Sequence, residues 1–204
     1  MIAVIDYRAG NLRSVHRAVQ HLGIACSITS DAATIRSASR VIFPGVGAAG
    51  SAMETIRALK LDEVIHEVIS RGIPFLGICL GTQIILDGSE EDSARCLGII
   101  PGMVRRFPEA GEKIPHMGWN TIEVIKDHPV LQGIDTHAQF YFVHSFYPDA
   151  ANVENIVAQT EYGITFPSVL ARDNIVATQF HPEKSGRYGL SLLKNFSLWD
   201  GSWG

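Results

Sequence analysis

The sequence predicts an α/β fold: a largely parallel central sheet with helices on both faces and a more antiparallel C-terminal half. Two patterns in the 204 residues predict it. Through the first eighty or so residues, short β-branched runs alternate with apolar residues at helical spacing, the pattern of βαβ units. From Leu97 to Gln179, several short strand-like runs follow one another with turns between them, which suits antiparallel pairing. No linker, repeat or low-complexity tract divides the chain, so residues 1–204 are read as one domain.

Each element has its own signal. Residues 2–5 form a continuous β-branched run of the kind buried in a parallel sheet, and Asp6 ends it at a loop, Tyr7-Arg8-Ala9-Gly10-Asn11. Leu12, Val15, Val19 and Leu22 then recur at helical spacing, with Gly23 placed to end that helix. Residues 24–29 read as a second strand, Asp31 opens a short helical stretch, and residues 41–43 read as a third strand. That strand runs into a glycine-rich loop, Pro44-Gly45-Val46-Gly47-Ala48-Ala49-Gly50. Helices over 51–58 and 61–70 lead to a strand over 74–78 and a helix over 80–86. The acidic stretch 87–92 reads as a loop. Strands are expected at 118–125, 140–146, 156–159, 168–171 and 175–179. A helix over 186–198, with Leu190, Leu193 and Phe196 on one face, closes the chain.

Composition narrows the function. A net charge of −4 leaves no basic surface for nucleic acid. The three cysteines, Cys26, Cys79 and Cys96, are odd in number and irregularly spaced, which argues against a disulfide framework and for a reducing compartment. No Cys/His zinc spacing occurs, and neither a metal nor a cofactor is expected. The first residues read as a strand with no basic region before them, and no apolar run reaches the ~20 residues of a membrane span. A cytoplasmic location without membrane attachment is therefore expected.

Chemistry concentrates at Gly77-Ile78-Cys79-Leu80-Gly81. A cysteine at a sharp strand-to-helix turn projects away from the backbone, glycines on either side leave room for the turn, and the helix dipole favours the thiolate. The same pattern also suits a small buried hydrophobe in a packed elbow. If Cys79 is a nucleophile, the glycine-rich loop gains a task. An oxyanion hole takes one N–H from the residue after the nucleophile, here Leu80, and another from a neighbouring loop, here Gly47 or Val46. A base is available in His181-Pro182-Glu183, at the end of an apolar strand. In an extended segment residues two apart share a side, so Glu183 can orient the His181 ring.

Together these three motifs resemble a class I, triad-type glutamine amidotransferase, with the three-layer fold of that family. Further stretches resemble the glutaminase subunits of imidazole glycerol phosphate synthases: Pro115-His116-Met117-Gly118-Trp119-Asn120, Tyr141-Phe142-Val143-His144-Ser145-Phe146-Tyr147, Glu161-Tyr162-Gly163 and His181-Pro182-Glu183-Lys184-Ser185. The resemblance spans nearly the whole chain. It implies a catalytic triad of Cys79, His181 and Glu183 that hydrolyses L-glutamine to glutamate and ammonia through a thioester. Gln83, Glu91 and the backbone of His144, Ser145 and Phe146 would contact glutamine. A (β/α)8-barrel cyclase subunit would be the partner in a heterodimer, with Asn11, Trp119, Tyr141 and Lys184 at the interface. The ammonia would serve that cyclase in making imidazole glycerol phosphate for histidine biosynthesis. Two other readings stay open on the residues alone: a stand-alone cysteine amidase or peptidase, and a non-catalytic binding module. Arg8, Ala49 and Thr82 depart from the family pattern, Arg8 standing where a glycine is expected.

Overall fold

The computed structural model describes residues 1–8, 11–109 and 111–203. Part of the expected first loop, Ala9 and Gly10, lies outside the described residues, as do Ala110 and Gly204. The chain begins β1 (Ile2–Ile5), α1 (Leu12–His21), β2 (Cys26–Thr29), α2 (Ala32–Ser37), β3 (Arg40–Gly45), α3 (Ala49–Ala58), α4 (Leu61–Ser70), β4 (Phe75–Cys79) and α5 (Leu80–Ile84). It continues with β5 (Gly88–Ser89), β6 (Ala94–Arg95), β7 (Gly102–Arg106), β8 (His116–Thr121), β9 (Glu123–Val124), β10 (Gln139–His144) and β11 (Phe146–Ala150). It ends with β12 (Ile156–Tyr162), β13 (Ile164–Arg172), β14 (Ile175–Thr178) and α6 (Gly186–Leu198).

The main sheet has eight strands in the order β2-β1-β3-β4-β14-β13-β12-β9. Its first five strands pair in parallel and the remainder antiparallel, as the sequence predicts. β1, β4 and β14 are buried along their whole length, which is why they read as unbroken apolar runs. One face of the sheet packs on α2, α3, α4 and α5 through Ile35, Met53, Ile56, Val64, Val68 and Ile84. The opposite face packs on α1 and α6 through Val15, Val19, Leu192, Leu193 and Phe196. A four-stranded sheet, β11-β7-β5-β6, and the hairpin-like pair β10-β8 complete the layers.

Several elements differ from expectation, each for a physical reason. The strand expected over 140–146 is two strands with different partners, β10 on β8 and β11 on β7. Burial alternates through both, Phe140, Phe142, His144 and Pro148 lying inside, so the pattern conceals the change of partner at Ser145. The run 118–125 likewise splits into β8 and the edge strand β9. The acidic stretch contains β5 and a 3-10 turn at Glu91–Ser93. The inward stripe of α6 is Gly189, Leu192, Leu193 and Phe196, with Leu190 only half-buried. Arg8 has a φ of 66° and donates its N–H to Asp6 Oδ1 at 2.7 Å. That left-handed conformation explains why glycine suits the position.

Candidate active site

Strand pairing brings the site together. β4 lies between β3 and β14, with Gly45 opposite Cys79 on one side and Thr178 opposite Ile78 on the other. The glycine-rich loop and the Gln179–Glu183 segment therefore leave the sheet at the same edge as Cys79, at the carboxyl ends of parallel strands.

Cys79 forms the elbow with φ 54° and ψ −105°, a conformation costing about 1–3 kcal/mol for a residue with a Cβ. The flanking glycines permit it. A Cβ on Gly81 would overlap the Phe43 carbonyl oxygen, and one on Gly77 would lie 3.0 Å from the Gly81 carbonyl oxygen. The following helix stops at Ile84 instead of running over 80–86, so the dipole expected at the sulfur comes from little more than one turn. Thr82 is tied down here: its buried hydroxyl donates to the Thr178 carbonyl at 2.6 Å, fastening α5 to β14.

Val46, Gly47, Cys79, Leu80, Gln83, Glu91, Pro115, Val143, His144, Ser145 and Phe146 line one cavity of about 370 Å³. All the residues expected to form the oxyanion hole and to contact substrate thus share one space with the cysteine. A larger cavity, about 940 Å³, runs past His128 and Leu131 but is lined by none of Cys79, His181 and Glu183. The candidate site is the smaller one, because Cys79 lines it.

His181 and Glu183 follow the end of β14, at the same sheet edge as Cys79. The His181 Nδ1 lies 2.8 Å from Glu183 Oε1, and both side chains are almost fully buried. The carboxylate accepts, so in the neutral ring Nδ1 carries the proton and Nε2 is the basic nitrogen. Nε2 has no hydrogen bond of good geometry among the described residues. Burial alone would depress the His181 pKa, but hydrogen bonding and charge from Cys79, and then from Glu183, outweigh it and raise the value to about 9. The ring is therefore suited to hold a second proton on Nε2, backed by Glu183.

The rest of the site is held by a network. Gln83 Nε2 donates to the Phe146 carbonyl at 2.9 Å and to Gln179 Oε1 at 3.1 Å. Glu91 Oε2 accepts from the Ala49 amide at 2.8 Å, capping α3, whose preceding residue, Ala48, has no side chain able to do so. Tyr7 is fully buried under the loop, where a Cβ on Gly45 would meet its hydroxyl at 2.5 Å. Among the described residues the hydroxyl makes no hydrogen bond of good geometry, although the Val46 backbone approaches it; burial pushes its pKa up.

The expected interface residues fall into two places. Trp119 and Tyr141 are cross-strand neighbours in β8 and β10 with ring centroids 6.0 Å apart, and Lys184 Nζ lies 5.7 Å from the Tyr141 ring centroid. Trp119 and Met117 are exposed beside this cluster. Asn11 lies instead at the start of α1, its Oδ1 accepting from Ser14 Oγ at 2.7 Å. Pro115 and Val143 enter the sequence reading only inside longer stretches and Tyr7 only inside a loop, and neither they nor Gln179 receive a site role there. Only Gln179 left a signal, as a polar side chain ending an apolar strand.

Burial also sets a pH dependence. It pushes the pKa values of His116 and His128 down to about 4 and that of His144 to about 3. Folded, these three stay neutral while the unfolded chain takes up protons below about pH 6.5, so their effect is to lower stability as pH falls from there towards 4. His181 has the opposite sign: its contribution is complete below about pH 6.5 and is lost as pH rises through 9. The urea midpoint should be lower at about pH 5 than at about pH 7. A midpoint that rises on acidification would contradict the buried, neutral state of these rings.

The sequence relationships agree with this geometry. A family model described as class-I glutamine amidotransferase matches residues 3–198. The chain is 52% identical over 205 residues to the imidazole glycerol phosphate synthase subunit HisH of Desulfovibrio desulfuricans, spanning 96% of this chain and 93% of that protein. It is 50% identical over 210 residues to the same subunit of Pseudomonas syringae, spanning 99% of both. Among solved structures it resembles PurLQS from Thermotoga maritima, with a TM-score of 0.76 and 16% identity over 97% of each chain. It also resembles a putative GMP synthase subunit from Thermoplasma acidophilum, with a TM-score of 0.72 and 20% identity over 96% of this chain and 90% of that one. At such identities these two likenesses concern the fold alone. The chain belongs to the class-I glutamine amidotransferase family, among the HisH subunits of imidazole glycerol phosphate synthase.

Proposed function

We propose that the chain is the glutaminase subunit of an imidazole glycerol phosphate synthase, hydrolysing L-glutamine and passing the ammonia to a cyclase subunit in histidine biosynthesis. The observation that carries this reading is a cysteine held at a strained elbow and lining a cavity of about 370 Å³, with the buried His181–Glu183 pair beside its sulfur. The Cys79 thiolate attacks the glutamine carboxamide carbon. The Leu80 amide and that of Gly47 or Val46 receive the oxyanion, and the His181 imidazolium protonates the leaving ammonia. Water, deprotonated by His181, then hydrolyses the thioester to glutamate. Both Gln83 amide hydrogens are already committed, which leaves Oε1 to accept a hydrogen bond from the substrate.

Ammonia serves as a nucleophile only while unprotonated and shielded from water, so the site needs an acceptor protein docked against it. The exposed Trp119 beside Tyr141 and Lys184 suits that contact, since interface cores favour amphipathic aromatics. Among the described residues no helix is long and apolar enough to cross a membrane, and all three cysteines are free. Both fit a cytoplasmic biosynthetic enzyme. The decisive experiment is co-purification with the cyclase chain, followed by glutamine turnover with and without the cyclase's ribotide ligand. Failure to form the complex, or turnover indifferent to it, would remove the proposed partner. Trp119→Ala should weaken cyclase binding by about tenfold or more in a calorimetric titration; unchanged affinity would place the contact elsewhere.

A further inference from the structure

The hydrogen-bond polarity of the cavity floor can be read from one atom. The Phe146 carbonyl oxygen can only accept, and it receives His144 Nδ1 at 2.7 Å and Gln83 Nε2 at 2.9 Å. This fixes which end of Gln83 faces it. The same nitrogen lies 3.1 Å from Gln179, so Gln179 must turn its oxygen towards Gln83. Its own nitrogen then points at Cys79, with Nε2 3.8 Å from Sγ. Reversing either amide would set donor against donor or oxygen against oxygen in a place closed to water, since Gln179 is 0% and Gln83 5% exposed. Two carboxamides in series thus deliver an N–H to the sulfur.

We propose that Gln179 is a further catalytic residue, donating its side-chain amide hydrogen to the Cys79 sulfur and stabilising the anionic nucleophile, with Gln83 as the residue that positions it. This rests on the reading of Cys79 as the glutaminase nucleophile. In the activation step the Sγ–H bond breaks and its proton forms an N–H bond at His181 Nε2, because Nδ1 already holds a proton shared with Glu183. The electron pair left on sulfur is a stronger acceptor than the neutral thiol, so the Gln179 N–H favours the product of that transfer. Substrate contact is therefore only part of what Gln83 does.

The ionisable groups about the sulfur are His181, backed by Glu183, and Tyr7 from the first loop; Glu91 and His144 share the cavity. Burial keeps Tyr7 and His144 neutral near pH 7 and raises the pKa of Glu91. His181 is thus the neighbour whose charge responds in the alkaline range.

The test is the rate of Cys79 alkylation by iodoacetamide across neutral to alkaline pH. It is followed on the Cys79 peptide by mass spectrometry, so that Cys26 and Cys96 do not interfere. The full-length wild type is compared with Gln179→Met, which keeps length but removes the donor. Near neutral pH the variant should react about threefold to tenfold more slowly; at a pH where the sulfur is anionic in both, it should match or exceed the wild type, because a less stabilised thiolate is intrinsically more nucleophilic. A packing defect would shift the rate in one direction at every pH. Gln83→Leu, which frees Gln179 to turn, should give a weaker form of the same crossover and serves if Gln179→Met does not fold. Profiles that coincide, or differ by a constant factor, overturn the role of Gln179. If alkylating Cys79 leaves glutamine hydrolysis intact, the glutaminase reading itself falls, which is a separate outcome.

Discussion

Replacing Cys79 with alanine is expected to lower glutamine hydrolysis in the complex by about 10³-fold or more, leaving only what the oxyanion amides and substrate binding supply. Alanine keeps the Cβ that the φ of 54° must accommodate, so the elbow and the sheet around it should persist unchanged. The loss is therefore chemical, not structural. Ammonia added in place of glutamine should still support the cyclase step, because the cyclase site is untouched. Coupled assays of glutamate formation and of cyclase product, run on the same preparation, check both halves. A variant that still releases glutamate at the wild-type rate would exclude Cys79 as the nucleophile.

The second large effect is expected from Glu183→Gln. The shape is retained, but His181 loses the carboxylate at 2.8 Å that holds Nδ1 as the protonated nitrogen and offsets the imidazolium charge. A carboxamide can present its N–H to the ring, which would lock the proton on Nε2 and remove the base that faces Cys79. Activity should fall by about 10²- to 10⁴-fold. The pH profile carries a second signature. Glu183 is one of the groups that raise the His181 pKa to about 9, so without it the imidazolium is lost at lower pH. Any residual activity should therefore decline at a lower alkaline pH than in the wild type. An alkaline limb that stays in place would mean that His181 is not the acid for ammonia release.

The fold was largely legible because its parallel half buries whole strands. Residues 2–5 and 74–78 read as unbroken apolar runs, and helical spacing marked α1 and α6. What the sequence concealed was partner choice in the second half. Alternation in a strand reports which face is buried, not which neighbour it pairs with, and so the break at Ser145 left no trace. Site residues showed a similar division. Cys79, His181 and Glu183 lie in local motifs with a steric or spacing logic of their own. Gln179 and Tyr7 act through contacts across the sheet, with Cys79 a hundred residues from Gln179 and Gly45 far along the chain from Tyr7. No local pattern encodes such contacts. The dipole expected at Cys79 was overestimated for a related reason: the apolar run through Leu86 continues into a turn whose burial resembles that of a helix.

The placement of β4 between β3 and β14 also bears on how the enzyme would come apart. The residues just before Cys79 and just before Gln179 are hydrogen-bonded neighbours in the middle of an eight-stranded sheet. Amide exchange at Leu76–Ile78 and Val176–Thr178 should consequently be among the slowest in the chain and report complete unfolding. Ile78 and Thr178 can separate only when the sheet itself is dismantled, so the scaffold under Cys79 and Gln179 shares one cooperative transition with global unfolding. Val46 and Gly47, beyond the last paired residue of β3, carry no such guarantee and can open at a far smaller energetic cost.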